Sequence, residues 1–86
     1  MPKYRHNGNS RLVISGKEMV SVLDSLGYDV VRVKGDHLIM KERNGPHLTQ
    51  VEIGGRSREL GQHNLSEILR QTDLTKDKII WALKKQ

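Results

Sequence analysis

The tetrapeptide Ser15-Gly16-Lys17-Glu18 constrains this chain more than any other feature. A Ser followed three residues later by Glu, directly ahead of an apolar run, is a capping box that starts a helix. The Ser hydroxyl accepts a bond from the Glu18 N–H, and the Glu18 carboxylate bonds back. Met19, Leu23 and Leu26 then recur at four- and three-residue steps, and Gly27 supplies a left-handed stop. The pattern predicts a helix over residues 16–26. Tyr28-Asp29-Val30-Val31-Arg32-Val33-Lys34 follows at once. It is β-branched and reads as a strand, with Val31 and Val33 on one face and Arg32 and Lys34 on the other. Gly35-Asp36 is a turn. His37 to Lys41 reads as a second strand, with Leu38 and Met40 on one face and His37, Ile39 and Lys41 opposite. Asn44-Gly45-Pro46 is a turn, and Leu48 to Ile53 a third strand with Val51 and Ile53 inward.

Residues 54–63 read as a polar loop. Asn64-Leu65-Ser66-Glu67 repeats the cap-plus-Glu logic and opens a short helix bearing Leu65, Ile68 and Leu69. Thr75 caps a last helix with Ile79, Ile80 and Leu83 on one stripe and Trp81 off it. The order α-β-β-β-α-α describes an α+β fold in which helices cover the Val31/Leu38/Val51 face of a meander. The other face is left open. With 86 residues the chain holds one domain, expected over residues 11–86 behind a disordered tail at 1–10.

Composition excludes several classes. No apolar run approaches a membrane span, and no signal-peptide core follows the basic N-terminus. Without cysteine there is no disulfide framework, thiolate nucleophile or Cys-based zinc site, so a reducing cytoplasm is the expected location. The net charge of +5 favours polyanionic partners. Part of the excess sits in the two tails. The rest lies in the middle third, where Arg32, Lys34 and Lys41 share the open face with His37.

Of the four histidines, none forms an i,i+3 or i,i+4 pair, so no metal site is expected. A single imidazole among cations nonetheless suits one chemistry. RNA carries its own nucleophile, the 2′-hydroxyl, and its cleavage needs only proton transfer and stabilisation of phosphoryl charge. Imidazole exchanges protons near neutral pH, and lysine or arginine offsets the charge. DNA lacks the hydroxyl and is not cut by this route.

The stretches Ile14-Ser15-Gly16-Lys17-Glu18, Leu26-Gly27-Tyr28 and Lys34-Gly35-Asp36-His37-Leu38-Ile39-Met40 resemble the HicA-type mRNA interferase toxins. So do Glu59-Leu60, Leu65-Ser66-Glu67-Ile68-Leu69-Arg70-Gln71 and Leu74-Thr75. The resemblance runs over about residues 13–76, with its parts in family order. It implies a fold like the double-stranded-RNA-binding domain, an α-β-β-β-α sandwich, here with an extra C-terminal helix. It implies ribonuclease activity on mRNA without metal or cofactor, with the His of the Gly-x-His motif, His37, as catalytic residue. Lys17, Arg32, Lys34, Gly35 and Lys41 are the accompanying candidates for RNA contact. The implied partner is a HicB-type antitoxin that covers the site, with no membrane and no direct DNA binding by this chain. Two positions depart from the family pattern: Asp36 stands where Ser is common before the His, and Gly54 where a second His often precedes a Gly.

Two other readings use the same surface. A non-catalytic RNA-binding module needs the cations and not the imidazole. A protein-interaction domain needs only an acidic partner.

Overall fold

Ser15 caps helix α1 (Gly16–Ser25) as its spacing predicts. Its hydroxyl accepts from the Glu18 N–H at 3.0 Å, and its own N–H donates to the Glu18 carboxylate at 2.9 Å. Gly27 ends the helix turn at φ +100°, a conformation side chains resist. The computed structural model describes residues 5–6, 12–54 and 59–85.

Three strands follow, numbered after two short ones near the N-terminus. β3 (Tyr28–Lys34), β4 (His37–Glu42) and β5 (Leu48–Glu52) form an antiparallel meander in the order β3-β4-β5. Cross-strand partners share a face. The face under the helices carries Tyr28, Met40, Thr49 and Val51, all buried.

The register corrects the placement of Val31. Val30 lies opposite Met40, but the next pair is Arg32 opposite Ile39, so Val31 is the extra residue of a β-bulge. Without that bulge, strict alternation from buried Tyr28 would turn Arg32 and Lys34 toward the helices. With it, both return to the open face, and Val31 is 56% exposed rather than inward. Val33 pairs with Leu38 on the helix side, yet it is 64% exposed, so the helical cover stops short of the hairpin end.

Helix α2 (Gln62–Thr72) begins earlier than its expected cap, with Gly61 at the N-cap. Asn64 is therefore inside the helix, where its amide braces β5. Its Nδ2 donates to the Gln50 carbonyl at 2.9 Å and its Oδ1 accepts from the Glu52 N–H at 3.0 Å. One side chain thus supplies the donor and acceptor that a neighbouring strand would. Helix α3 (Lys76–Lys84) starts at Thr75 as expected, the hydroxyl accepting from the Lys78 N–H at 3.1 Å.

The core lies between the sheet and the helices. Met19, Val22 and Leu23 of α1, Leu65 and Ile68 of α2, and Ile79 and Ala82 of α3 share one buried cluster with the inner face of the sheet. Removing such side chains from water is the main stabilising term, at roughly 1.5–3 kcal/mol for each large one. Leu12, Ile14 and Leu60 complete this core. Trp81 stays outside, 49% exposed, with the Lys78 ammonium 4.2 Å from its ring centre.

The sequence predicts a disordered tail over residues 1–10. Within it, β1 (Arg5–His6) pairs antiparallel with β2 (Leu12–Val13), backbone hydrogen bonding holding those two residues in a ribbon. The remainder of that tail lies outside the described residues, as do residues 55–58 of the expected loop. Helix, three-stranded antiparallel sheet and two helices give the α+β, double-stranded-RNA-binding-domain-like order with an additional C-terminal helix. Among the described residues no helix is long and apolar enough to cross a membrane.

Candidate functional site

The site is built at the tight turn between β3 and β4. Lys34 and His37 are paired across the turn Gly35-Asp36, and Gly35 takes φ +58° at its first central position. A positive φ there lets the turn follow the twist of the strands, which is why glycine suits it. Register then places Glu52 of β5 on the other side of His37. Lys34, His37 and Glu52 thus form one row across the end of the open face. The next row, Arg32, Ile39 and Gln50, continues it.

His37 is partly exposed, and its Nε2 stands 3.9 Å from Glu52 Oε1. That separation is too long for a direct hydrogen bond and suits an ion pair or a bridging water. Arg32 and Lys34 make no hydrogen bond or ion pair with any described residue. Their charge faces solvent beside the imidazole.

The other candidates divide. Lys17 is exposed in the first turn of α1, at the sheet end that bears Glu52. The helix start touches β5 closely enough that a Cβ at Gly16 would overlap the Glu52 carbonyl oxygen. Lys41 shares the open face but lies about 13 Å along the strand from His37. Its ammonium donates to the carbonyls of Glu42 (3.3 Å) and Gly45 (3.2 Å), closing the β4–β5 turn. The arrangement therefore joins Lys34, Gly35 and His37, with Arg32 one row away and Lys17 at the same end. Lys41 belongs to the opposite end.

Glu52 is the residue that sequence reasoning missed. Its signal is weak but present: it alternates with inward Val51, so it must face outward. Its position beside His37 depends on the register across a longer turn, Arg43 to His47, that spacing does not fix.

The two departures from the family pattern turn out to be one contact. The Asp36 carbonyl accepts from the Ile53 N–H at 2.9 Å, which docks the β3–β4 turn on the end of β5. The Asp36 carboxyl then occupies the space that a side chain at Gly54 would fill. Asp36 is directed at residue 54, and no ion pair joins it to His37 among the described residues.

The remaining histidines sit apart from this site. His47 Nδ1 bonds Glu42 at 2.9 Å in the opposite turn, and His63 is exposed at the start of α2. Among the described residues no three His, Asp or Glu side chains converge on a point where they would hold a metal ion. The chemistry on offer is thus one accessible imidazole with a carboxylate beside it and unpaired cations along the same face.

No match was found among curated proteins. A family model for the HicA toxin of bacterial toxin–antitoxin systems matches residues 16–74, from the start of α1 to just past the end of α2. That span contains the whole sheet and the Lys34–His37–Glu52 row and leaves out α3. With well over half its length matched, the chain belongs to the HicA toxin family of bacterial toxin–antitoxin systems.

Proposed function

We propose that the chain is a metal-independent endoribonuclease, an mRNA interferase that halts translation as the toxin of a type II pair. His37 carries the proton traffic. As neutral imidazole it accepts the 2′-hydroxyl proton while that oxygen attacks the adjacent phosphorus. As imidazolium it protonates the departing 5′-oxygen. The 2′-O–P bond forms and the P–5′-O bond breaks, leaving a 2′,3′-cyclic phosphate and a free 5′-hydroxyl. Lys34 and Arg32 offset the charge that builds on the phosphoryl oxygens, and Lys17 contacts the RNA backbone further on. Gly35 lets the strand backbone approach the phosphate closely. Glu52 is a positioning residue: from 3.9 Å it steadies the ring through a bridging water. The reaction needs no cofactor and acts where mRNA is, in the cytoplasm. A HicB-type antitoxin is the proposed partner, and DNA is not a substrate.

The observation that supports this reading best is the row itself, an accessible imidazole between a carboxylate and an unpaired lysine. The test is cleavage of a labelled mRNA by the parent chain and by His37→Ala, with circular dichroism to show both folded. Loss of one acid/base group lowers such a rate by about a hundredfold or more. Glu52→Gln should lower kcat while RNA affinity and circular dichroism stay those of the parent, a split that a merely structural role would not give. Cleavage by His37→Ala at the parent rate refutes the assignment; undiminished RNA binding without any cleavage by the parent leaves the non-catalytic RNA-binding module.

A further inference from the structure

Helix α3 lies beyond the stretch that the family model matches, residues 16–74, and the His37 row makes no use of it. It packs on α1 in the helical layer, on the far side of the sheet from the open face. Ile79 and Ala82 are buried there, whereas Trp81 on the outer side of the helix is 49% exposed. A ring of that size normally gives its area to a core. This one keeps half in water, and cations gather round it. The Lys78 ammonium, one turn before, stands 4.2 Å from the ring centre, and that of Lys85, one turn after, 5.5 Å. Spacings of three and four residues put all three side chains on one stripe. Lys84 is exposed beside them. From Lys76 to Lys85 the helix carries four lysines against a single acid, Asp77, which occupies the first turn. No ion pair joins Lys78, Lys84 or Lys85 to any described residue.

We propose that Trp81, Lys78 and Lys85 form a second site for single-stranded RNA, one that anchors the strand and takes no part in its cleavage. A nucleotide offers what this stripe lacks: a flat apolar face with an anion a short step away. The base stacks on the indole, and the ammonium that now covers the ring moves to the phosphate. The exchange is favourable, since base–aromatic stacking is worth more than an exposed cation–π contact and the ammonium gains an anion. Duplex RNA hides its base faces in the stack, so the site selects unpaired strands. An apolar protein surface fits poorly. Covering the ring would strip water from two ammoniums and give them no partner. An acidic peptide would satisfy the lysines and leave the indole face in water.

Trp81 is the single tryptophan of the chain, so its fluorescence reports this site alone. The probe is oligouridylate about ten nucleotides long, with polyglutamate and vesicles of anionic phospholipid as controls. It is added to the full chain carrying His37→Ala and Lys34→Ala, which disarms the open face. The expected result is quenching by oligouridylate and no change with either control. Lys78→Gln with Lys85→Gln should lower the slope of log affinity against log salt by about 0.7 for each lysine removed. Trp81→Ala should weaken binding of the labelled oligonucleotide, read by anisotropy, about fivefold or more. Circular dichroism checks the fold of each variant, and the two exposed lysines keep the test open if Trp81→Ala unfolds the chain. Absence of quenching, equal quenching by polyglutamate, or an unchanged salt slope overturns the proposal. So does a blue shift with the vesicles, since the stripe then belongs to a lipid surface. Failure here strikes the α3 site alone, because binding is read in a disarmed chain; a parent that cuts no RNA refutes the ribonuclease reading alone.

Discussion

Each end of the sheet carries a histidine and a glutamate, and the two ends treat them in opposite ways. At the β4–β5 turn His47 Nδ1 meets Glu42 at 2.9 Å, and the same carboxylate accepts from the His47 N–H at 3.4 Å. Lys41 is spent on the carbonyls of Glu42 and Gly45. Arg43 binds the Asp29 carboxylate at 2.6 Å and the Asp24 carbonyl, at the C-terminus of α1, at 3.1 Å. At the β3–β4 turn His37 stands 3.9 Å from Glu52, and Lys34 and Arg32 have no anion among the described residues. The residue types are nearly the same. What differs is whether each charge is matched within the fold. A matched cation fixes a turn; an unmatched one beside an accessible imidazole is available to a phosphate.

The sharpest way to break this contrast is to exchange the histidines' fates. His37→Ala should reduce RNA cleavage by about a hundredfold or more, while His47→Ala should leave the rate near that of the parent. A reversed order in the cleavage assay would locate the chemistry at the wrong end. The next effect concerns the cations. Lys34→Ala should lower cleavage by about tenfold or more through lost charge stabilisation, whereas Lys41→Ala should cost mainly turn stability. Equal losses would show that Lys41 swings round to the RNA.

Much of this molecule can be read from local signals. The α1 cap, the Gly27 stop, the three strands and the Thr75 cap each depend on residues a few positions apart. The open face, including His37 and Lys34, follows from alternation on β4 and from the tight turn. The misread features are non-local. Val30 and Val31 are the same residue type, so nothing in their propensity says which one bulges; the core decides by claiming Tyr28 and Met40. Asn64 looks like a cap until a strand edge lies against it.

The Asp36–Gly54 contact gives a third, smaller effect, read as stability. Gly54→His places a side chain where the exposed Asp36 carboxyl lies; that carboxyl can turn aside, so the cost should stay below about 1 kcal/mol. Asp36→Ser beside it should recover part of the loss, with a coupling of about 0.5 kcal/mol in a double-mutant cycle followed by urea unfolding. Additive losses would mean the two positions do not share the space. Gly16→Ala should cost more, about 1–3 kcal/mol, since its methyl meets the Glu52 backbone and not a yielding side chain.

The smallest effect tests the matched end by pH. Tyr28 lies opposite Glu42 on the helix side of the sheet. Burial, with Glu42 adding to it, pushes the Tyr28 phenol above its usual 10.0. Below about pH 10 the phenol is neutral in the folded and unfolded chain alike, and it adds no pH dependence. Above that, the unfolded chain releases the proton first, so it binds fewer protons than the fold and stability falls as pH rises. Tyr28→Phe should flatten this alkaline decline in urea midpoints without changing the neutral-pH slope. Glu42→Gln should move the Tyr28 titration back toward its ordinary value, because the nearby negative charge is gone. His37→Ala at the other end should leave that titration where it was. A Tyr28 titration that follows His37 and ignores Glu42 would mean that the two ends of the sheet are not electrostatically separate.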